Sequence, residues 1–223
     1  GPLGIYSHIF GEELKPTIVV ADFPLKWTVA AMAPLYETGI NAVVPSQRAI
    51  PAHLMEPKIK NRSRMWYQMA NIEVSKHEGD NNWALLLDPD GFIAEGTGDN
   101  FFIVKDKKII TPEGRNILRG ISRKYIFQLG EELGIQVIEK NIEQYDVYDS
   151  DEAFMTGTPF CLLPVTSLNN IRIGDGKMGL ISSKLLDHWS ENIGLDIVAQ
   201  IKKWGNNYGS NKQVAPTPYQ FII

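Results

Sequence analysis

The chain has 223 residues, 43% of them apolar and 22% charged, with 26 acidic against 22 basic side chains and a net charge of −4. That length suits one large domain, or two small ones, with room for a substantial core. The balance excludes a disordered chain and a protein that lives on phosphate backbones.

Cys161 is the single cysteine, which excludes a disulfide framework and a Cys-based zinc cage and fits a reducing, cytoplasmic setting. His8, His53, His77 and His188 show no metal-ligand spacing, so no metal is expected. The most apolar early stretch, 17–36, is broken by Asp22, Pro24, Lys26 and Pro34; no signal peptide and no membrane partner are expected. Trp66 and Tyr67 lie beside basic residues, but the acidic net charge argues against nucleic acid.

In chain order, Thr17 to Ala21 reads as a buried strand closed by Pro24, and Ile40 to Val44 as another, reached through a short helical or irregular stretch ending at Gly39. Pro45, Pro51 and Pro57 mark a link in which no long element survives. The spacing of Met65, Met69 and Ile72 predicts a helix over 63–78 with those residues on one face, stopped at Gly79. Trp83 to Asp88 and Phe92 to Glu95 read as strands around the turn Pro89-Asp90-Gly91. Asn100 to Val104 and Lys108 to Thr111 read as a hairpin around Asp106. Tyr125, Ile126, Leu129 and Leu133 predict an amphipathic helix over 122–134. Strands follow at 136–138 and 153–155, then a hairpin over 170–177 with Asp175-Gly176 at its tip. Ile181, Leu185 and Trp189 mark a helix ended by Gly194, and 195–204 reads as the last helix. The class is α/β, or mixed α+β.

Four short segments have ordinary explanations one by one and a chemical one together. Gly120-Ile121-Ser122 opens a helix, so its free N–H groups form a phosphate seat. Thr156-Gly157-Thr158 follows a strand and offers N–H and hydroxyl donors. Glu95 supplies a carboxylate, and Lys60, with Lys58 as its rival, supplies an amine. That is the set pyridoxal phosphate requires: an amine for the imine and a carboxylate that keeps the ring nitrogen protonated.

The order Ala94-Glu-Gly-Thr-Gly-Asp-Asn-Phe-Phe102, Leu118-Arg-Gly-Ile-Ser-Arg123, then Asp151-Glu-Ala-Phe-Met-Thr-Gly-Thr158 with Leu163-Pro-Val165, resembles the fold-type IV (class IV) aminotransferases over residues 15–195. This group holds the branched-chain and D-amino acid aminotransferases and the aminodeoxychorismate lyases. The resemblance implies the large pyridoxal-phosphate-binding domain of that fold. It implies Lys60 as Schiff-base lysine and proton shuttle, Glu95 as partner of the pyridine nitrogen, and Ile121, Ser122, Gly157 and Thr158 as phosphate binders. Asn100 would support the loop after Glu95. Arg64 falls where branched-chain enzymes often carry a tyrosine near the cofactor, and lies in the substrate or cofactor vicinity.

The implied activity is transamination between a branched-chain-like amino acid and a 2-oxo acid in a cytoplasmic homodimer. A lyase of the same fold and a non-catalytic domain stand as alternatives. The expected division is 1–14, a tag remnant or inter-domain linker; 15–205, the cofactor-binding large domain; and 206–223, a C-terminal tail. The family's small N-terminal domain has no counterpart before Thr17, so the surface that meets it is expected to be exposed.

Overall fold

The computed structural model describes residues 9, 11, 18–22 and 24–208. A short helix α1 (Leu25–Val29), a 3-10 turn (Ala30–Met32) and α2 (Leu35–Thr38) lead to Gly39, whose positive φ of 73° ends the helical run and admits strand β1 (Ile40–Val43). After the proline-containing link come α3 (Met65–Val74), β2 (Asn82–Leu87), β3 (Ile93–Gly96), β4 (Asn100–Lys105) and β5 (Lys108–Thr111). Then follow α4 (Ile121–Glu132), β6 (Val137–Glu139), α5 (Gln144–Tyr148), β7 (Glu152–Gly157), β8 (Cys161–Leu168), β9 (Ile171–Arg172), α6 (Leu180–Ile193) and α7 (Ile197–Tyr208). No helix among the described residues is long and apolar enough to cross a membrane.

The strands of the described residues form one nine-stranded mixed sheet in the order β3-β2-β1-β8-β7-β4-β5-β6, with β9 beside β8. A further pairing, Glu95 opposite Asn100, joins β3 back to β4 and closes a circuit of strands. Side chains alternate between two cores. Ala42, Trp83, Leu85, Leu87 and Ile93 join the main cluster with stacked Phe102 and Phe154, whose ring centroids are 4.8 Å apart. Val43, Ala84, Leu86 and Ala94 face the other way and meet Ala70 and Val74 of α3. With both faces covered, β2 and β4 read as continuous apolar runs.

Several expectations need correction. Residues 18–22 carry no regular structure, and Ile18, Val19 and Val20 are exposed; no strand of the described sheet pairs with them, so no buried strand forms (Thr17 lies outside the described residues). On α3 the faces are exchanged: Met65 and Met69 are exposed while Ala70, Asn71 and Val74 are buried, because small side chains let the helix lie close on Ala84 and Ala94. The hairpin near residue 170 is β8–β9, with its tip at Asn169-Asn170; both residues have positive φ (50° and 65°), which matches a right-twisted two-residue turn. Gly205 does not end the last helix. It sits where a Cβ would lie 2.8 Å from that of Ala33, so it allows α7 to approach the 3-10 turn, and the helix runs on to Tyr208, past the expected start of the tail. Residues 209–223 lie outside the described residues.

Candidate active site

The end of β3, the starts of β4 and α4, the end of β7 and the loop into α3 enclose a cleft of about 280 Å³. All the residues expected from the sequence line it: Lys60, Arg64, Glu95, Asn100, Ile121, Ser122, Gly157 and Thr158. Lys60 is exposed on its wall. Lys58 is not part of the lining and pairs with Glu56 at 2.6 Å. The geometry therefore puts at the cleft the lysine that the family resemblance had already favoured over Lys58.

Glu95 is 5% exposed at the end of β3. Its Oε2 accepts the Leu118 N–H at 2.9 Å and Asn100 Nδ2 at 3.2 Å, and its Oε1 accepts the Tyr67 hydroxyl at 2.7 Å. Burial pushes its carboxyl up to about 7, against the Tyr67 and Leu118 donors and the Arg64 and Lys60 charges. Asn100 also donates to the Leu118 carbonyl at 2.9 Å, so it fastens the loop before α4 to β4. A Cβ on Gly120 would strike the Asn100 side-chain oxygen; that close approach requires the glycine.

Asp99, in the turn between β3 and β4, also lines the cleft and is 7% exposed. Its Oδ1 has no hydrogen-bond partner among the described residues, and burial, with the Glu95 charge second, pushes its carboxyl up to about 8. Arg64 donates to the Thr97 carbonyl and stands 4.7 Å over the Tyr67 ring.

The first turn of α4 supplies another wall. Its N-cap, Gly120, is extended (φ −63°, ψ 148°) and no side chain caps it, which leaves first-turn N–H groups to a ligand. Ser122 is buried there, whereas Ile121 is exposed, so only the backbone of Ile121 is suited to bind. Thr156 and Gly157 belong to β7 rather than following it, and the buried Thr156 hydroxyl has no partner among the described residues. A Cβ on Gly157 would lie 2.7 Å from the Phe160 ring. Thr158 follows, exposed.

Sequence reasoning missed Tyr67 and Asp99 as members of the site. The signal for Tyr67 was its spacing: it stands three residues after Arg64, hence on the same face at the start of α3. For Asp99 no signal separates a buried carboxyl from an ordinary turn aspartate.

Residues 7–168 match the family described as Amino-transferase class IV. The putative branched-chain-amino-acid aminotransferase of Methanocaldococcus jannaschii is 36% identical over 193 residues, covering 86% of this chain and 63% of its own length. The branched-chain-amino-acid aminotransferase of Escherichia coli K12 is 33% identical, covering 84% of this chain and 59% of its own length. The crystal structure of the branched-chain amino acid aminotransferase from Thermobaculum terrenum in its PLP form superposes with a TM-score of 0.67 at 29% identity, covering 78% of this chain and 56% of that one. The chain thus spans less than two thirds of the length of these relatives.

Proposed function

The chain belongs to the class IV aminotransferases, and on that premise we propose that it carries the pyridoxal-phosphate site of an enzyme transferring an amino group between a branched-chain-type amino acid and a 2-oxo acid. The observation that carries this reading is the joint lining of one cleft by a lysine amine, a buried carboxylate and an uncapped helix start. The residues fit the group. Glu95 matches a protonated ring nitrogen, while the α4 N–H groups, Ser122, Gly157 and Thr158 match phosphate oxygens. The orphaned Thr156 hydroxyl gives the same wall an unused donor.

When bound, pyridoxal phosphate supplies an electron sink that stabilises negative charge at the substrate's α-carbon. The protein's part is positioning and proton transfer. Glu95 holds the proton on the ring nitrogen. Lys60 would hold the cofactor through its amine and, as a free amine, would take the substrate's α-proton and return it. Asn100 keeps Glu95 and the loop before α4 in register. The large domain in this reading begins at residue 15 and runs through α7 rather than stopping at 205.

We assign the protein to the cytoplasm, supported by its single cysteine. We assign it to a homodimer, supported by apolar side chains that stand out of the surface at the cleft, on the loop before α3 and on α3: Leu54, Ile59, Met65, Met69 and Ile121 are each more than half exposed.

The test is to saturate the chain with pyridoxal phosphate, reduce with borohydride and map the labelled peptide by mass spectrometry. Near-stoichiometric label on Lys60 with Lys58 unmodified is expected. Label scattered over surface lysines, or none, would remove the proposal. Formation of the 2-oxo acid from valine then reads turnover.

A further inference from the structure

Glu95 is the centre of the cleft's polar arrangement, and its two oxygens are not equivalent. Oε2 receives two protein donors, a main-chain N–H and the Asn100 amide, both on the side of the loop before α4. Oε1 receives one, the Tyr67 hydroxyl. An ionised carboxylate offers about four acceptor sites, so the oxygen with the open site is Oε1.

The Tyr67 ring is fixed from three directions. Trp66 packs on it with centroids 5.2 Å apart, and the Arg64 guanidinium covers it at 4.7 Å. It also packs against the small core between α3 and the sheet. Burial, reinforced by the neighbouring Glu95 charge, pushes its hydroxyl well above the ordinary tyrosine range, so it stays protonated and acts toward Glu95 as a donor.

We propose that Tyr67 is a positioning residue: by donating to Oε1 from a clamped ring, it holds Glu95 ionised and turned so that this oxygen meets the protonated ring nitrogen of the cofactor. This rests on the pyridoxal-phosphate reading above. Tyr67 acts in this proposal through Glu95 rather than on the reacting atoms. The charged and titratable groups facing Glu95 are Arg64 and Tyr67 from α3 and its entry, Lys60 from the preceding loop and Asp99 from the following turn. Replacing the Tyr67 hydroxyl alone leaves the other three in place.

The experiment titrates wild type, Tyr67→Phe and Glu95→Gln with pyridoxal phosphate between pH 5 and 9, following tryptophan fluorescence, since Trp66 lines the cleft. Phenylalanine keeps the ring and its packing, and a thermal melt of each protein confirms folding. In wild type, affinity falls toward low pH as Glu95 takes up a proton, and Glu95→Gln lacks that limb. Tyr67→Phe removes one donor to the anion, so the limb moves to higher pH by about one unit. Binding is then about tenfold weaker below the limb and nearly equal to wild type above it. A limb that stays in place overturns the proposal. So does weakening by the same factor at every pH, the mark of a merely structural role. Wild type that fails to bind pyridoxal phosphate saturably overturns the cofactor reading itself, and this inference with it; binding by wild type with an unmoved limb in the variant overturns the inference alone.

Discussion

The buried acid in the turn after β3 makes the stability of the unliganded chain pH-dependent, and Asp99→Asn isolates the effect. Asp99 is 7% exposed, with one carboxyl oxygen unpartnered, and its carboxyl rises from an ordinary 3.8 to about 8 in the fold. The folded state therefore binds this proton more tightly than the unfolded chain does. Below about pH 4 both states are protonated, and the contribution to stability is fully present. Between about 4 and 8 the unfolded chain releases the proton and the folded one keeps it, so stability falls with pH; above 8 the loss is complete. A difference of about four pH units at about 1.4 kcal/mol each sets a ceiling of about 6 kcal/mol. The site is a cleft wall, where relaxation and entering water lower the penalty, and about 3 kcal/mol is the working figure. Asparagine has the same shape and cannot ionise. The melting temperature of Asp99→Asn minus that of wild type is thus expected to rise by about 6–12 °C between pH 4 and pH 9 for a chain of this size. Any amide hydrogen bond the variant fails to make shifts both pH values alike and leaves that rise intact. A difference that is flat with pH, or that falls, would refute the argument that Asp99 is buried without compensation. The assay is paired thermal or urea unfolding of the two proteins, free of cofactor, across that pH range.

Gly157→Ala places a methyl 2.7 Å from the Phe160 ring, which is edge-on to Trp83 at 5.7 Å; a loss of about 1–3 kcal/mol is expected in urea unfolding, and an unchanged midpoint would contradict the close approach. Ser122→Ala is expected to weaken pyridoxal phosphate about tenfold while leaving pyridoxal unchanged, because only the former carries the anion that the start of α4 receives; an equal loss for both would place the phosphate elsewhere. Asp88→Ala removes the acceptor for the Asp90 and Phe92 N–H groups, both at 3.0 Å, and for Asn116 Nδ2 at 3.1 Å; about 2 kcal/mol of stability is expected to go, with cofactor affinity unaffected.

What the sequence revealed follows from which physical signals are local. The runs Trp83 to Leu87 and Asn100 to Val104 were legible because strands covered on both faces are apolar throughout. Strand β8 was not, since Pro164 sits inside it. In the fold Pro164 lies opposite Phe154 of β7, and the ladder to β1 begins only at Val165, so the missing N–H falls where β1 is not yet paired. The stripe on α3 was misplaced for a different reason. Periodicity finds a stripe of large apolar residues, but α3 lies on alanines of β2 and β3 and buries its small face instead. The candidate site was legible as motifs in order, and the cleft brings those residues together. The family resemblance already favoured Lys60 over Lys58; that Tyr67 reaches Glu95 depends on how α3 packs against β3, which its spacing from Arg64 does not by itself encode.

The same arrangement explains why the site lies where strands end rather than where they pack. Glu95 and Asp99 flank the tight turn from β3 into β4, where a Cβ on Gly96 would collide with the Asp99 carboxyl. Closing the strand circuit through Glu95 and Asn100 therefore forces two acids into one wall, and the Glu95 charge adds to burial in raising the proton affinity of Asp99. Arg64 offsets part of that charge from its place over the Tyr67 ring, where it donates to the Thr97 carbonyl. The wall is left with two buried acids of raised proton affinity in a partly dry cleft, a condition that weakens the empty fold as pH rises and favours a bound group carrying a proton on nitrogen. The instability predicted for Asp99 and the affinity attributed to Glu95 are two consequences of that one closure.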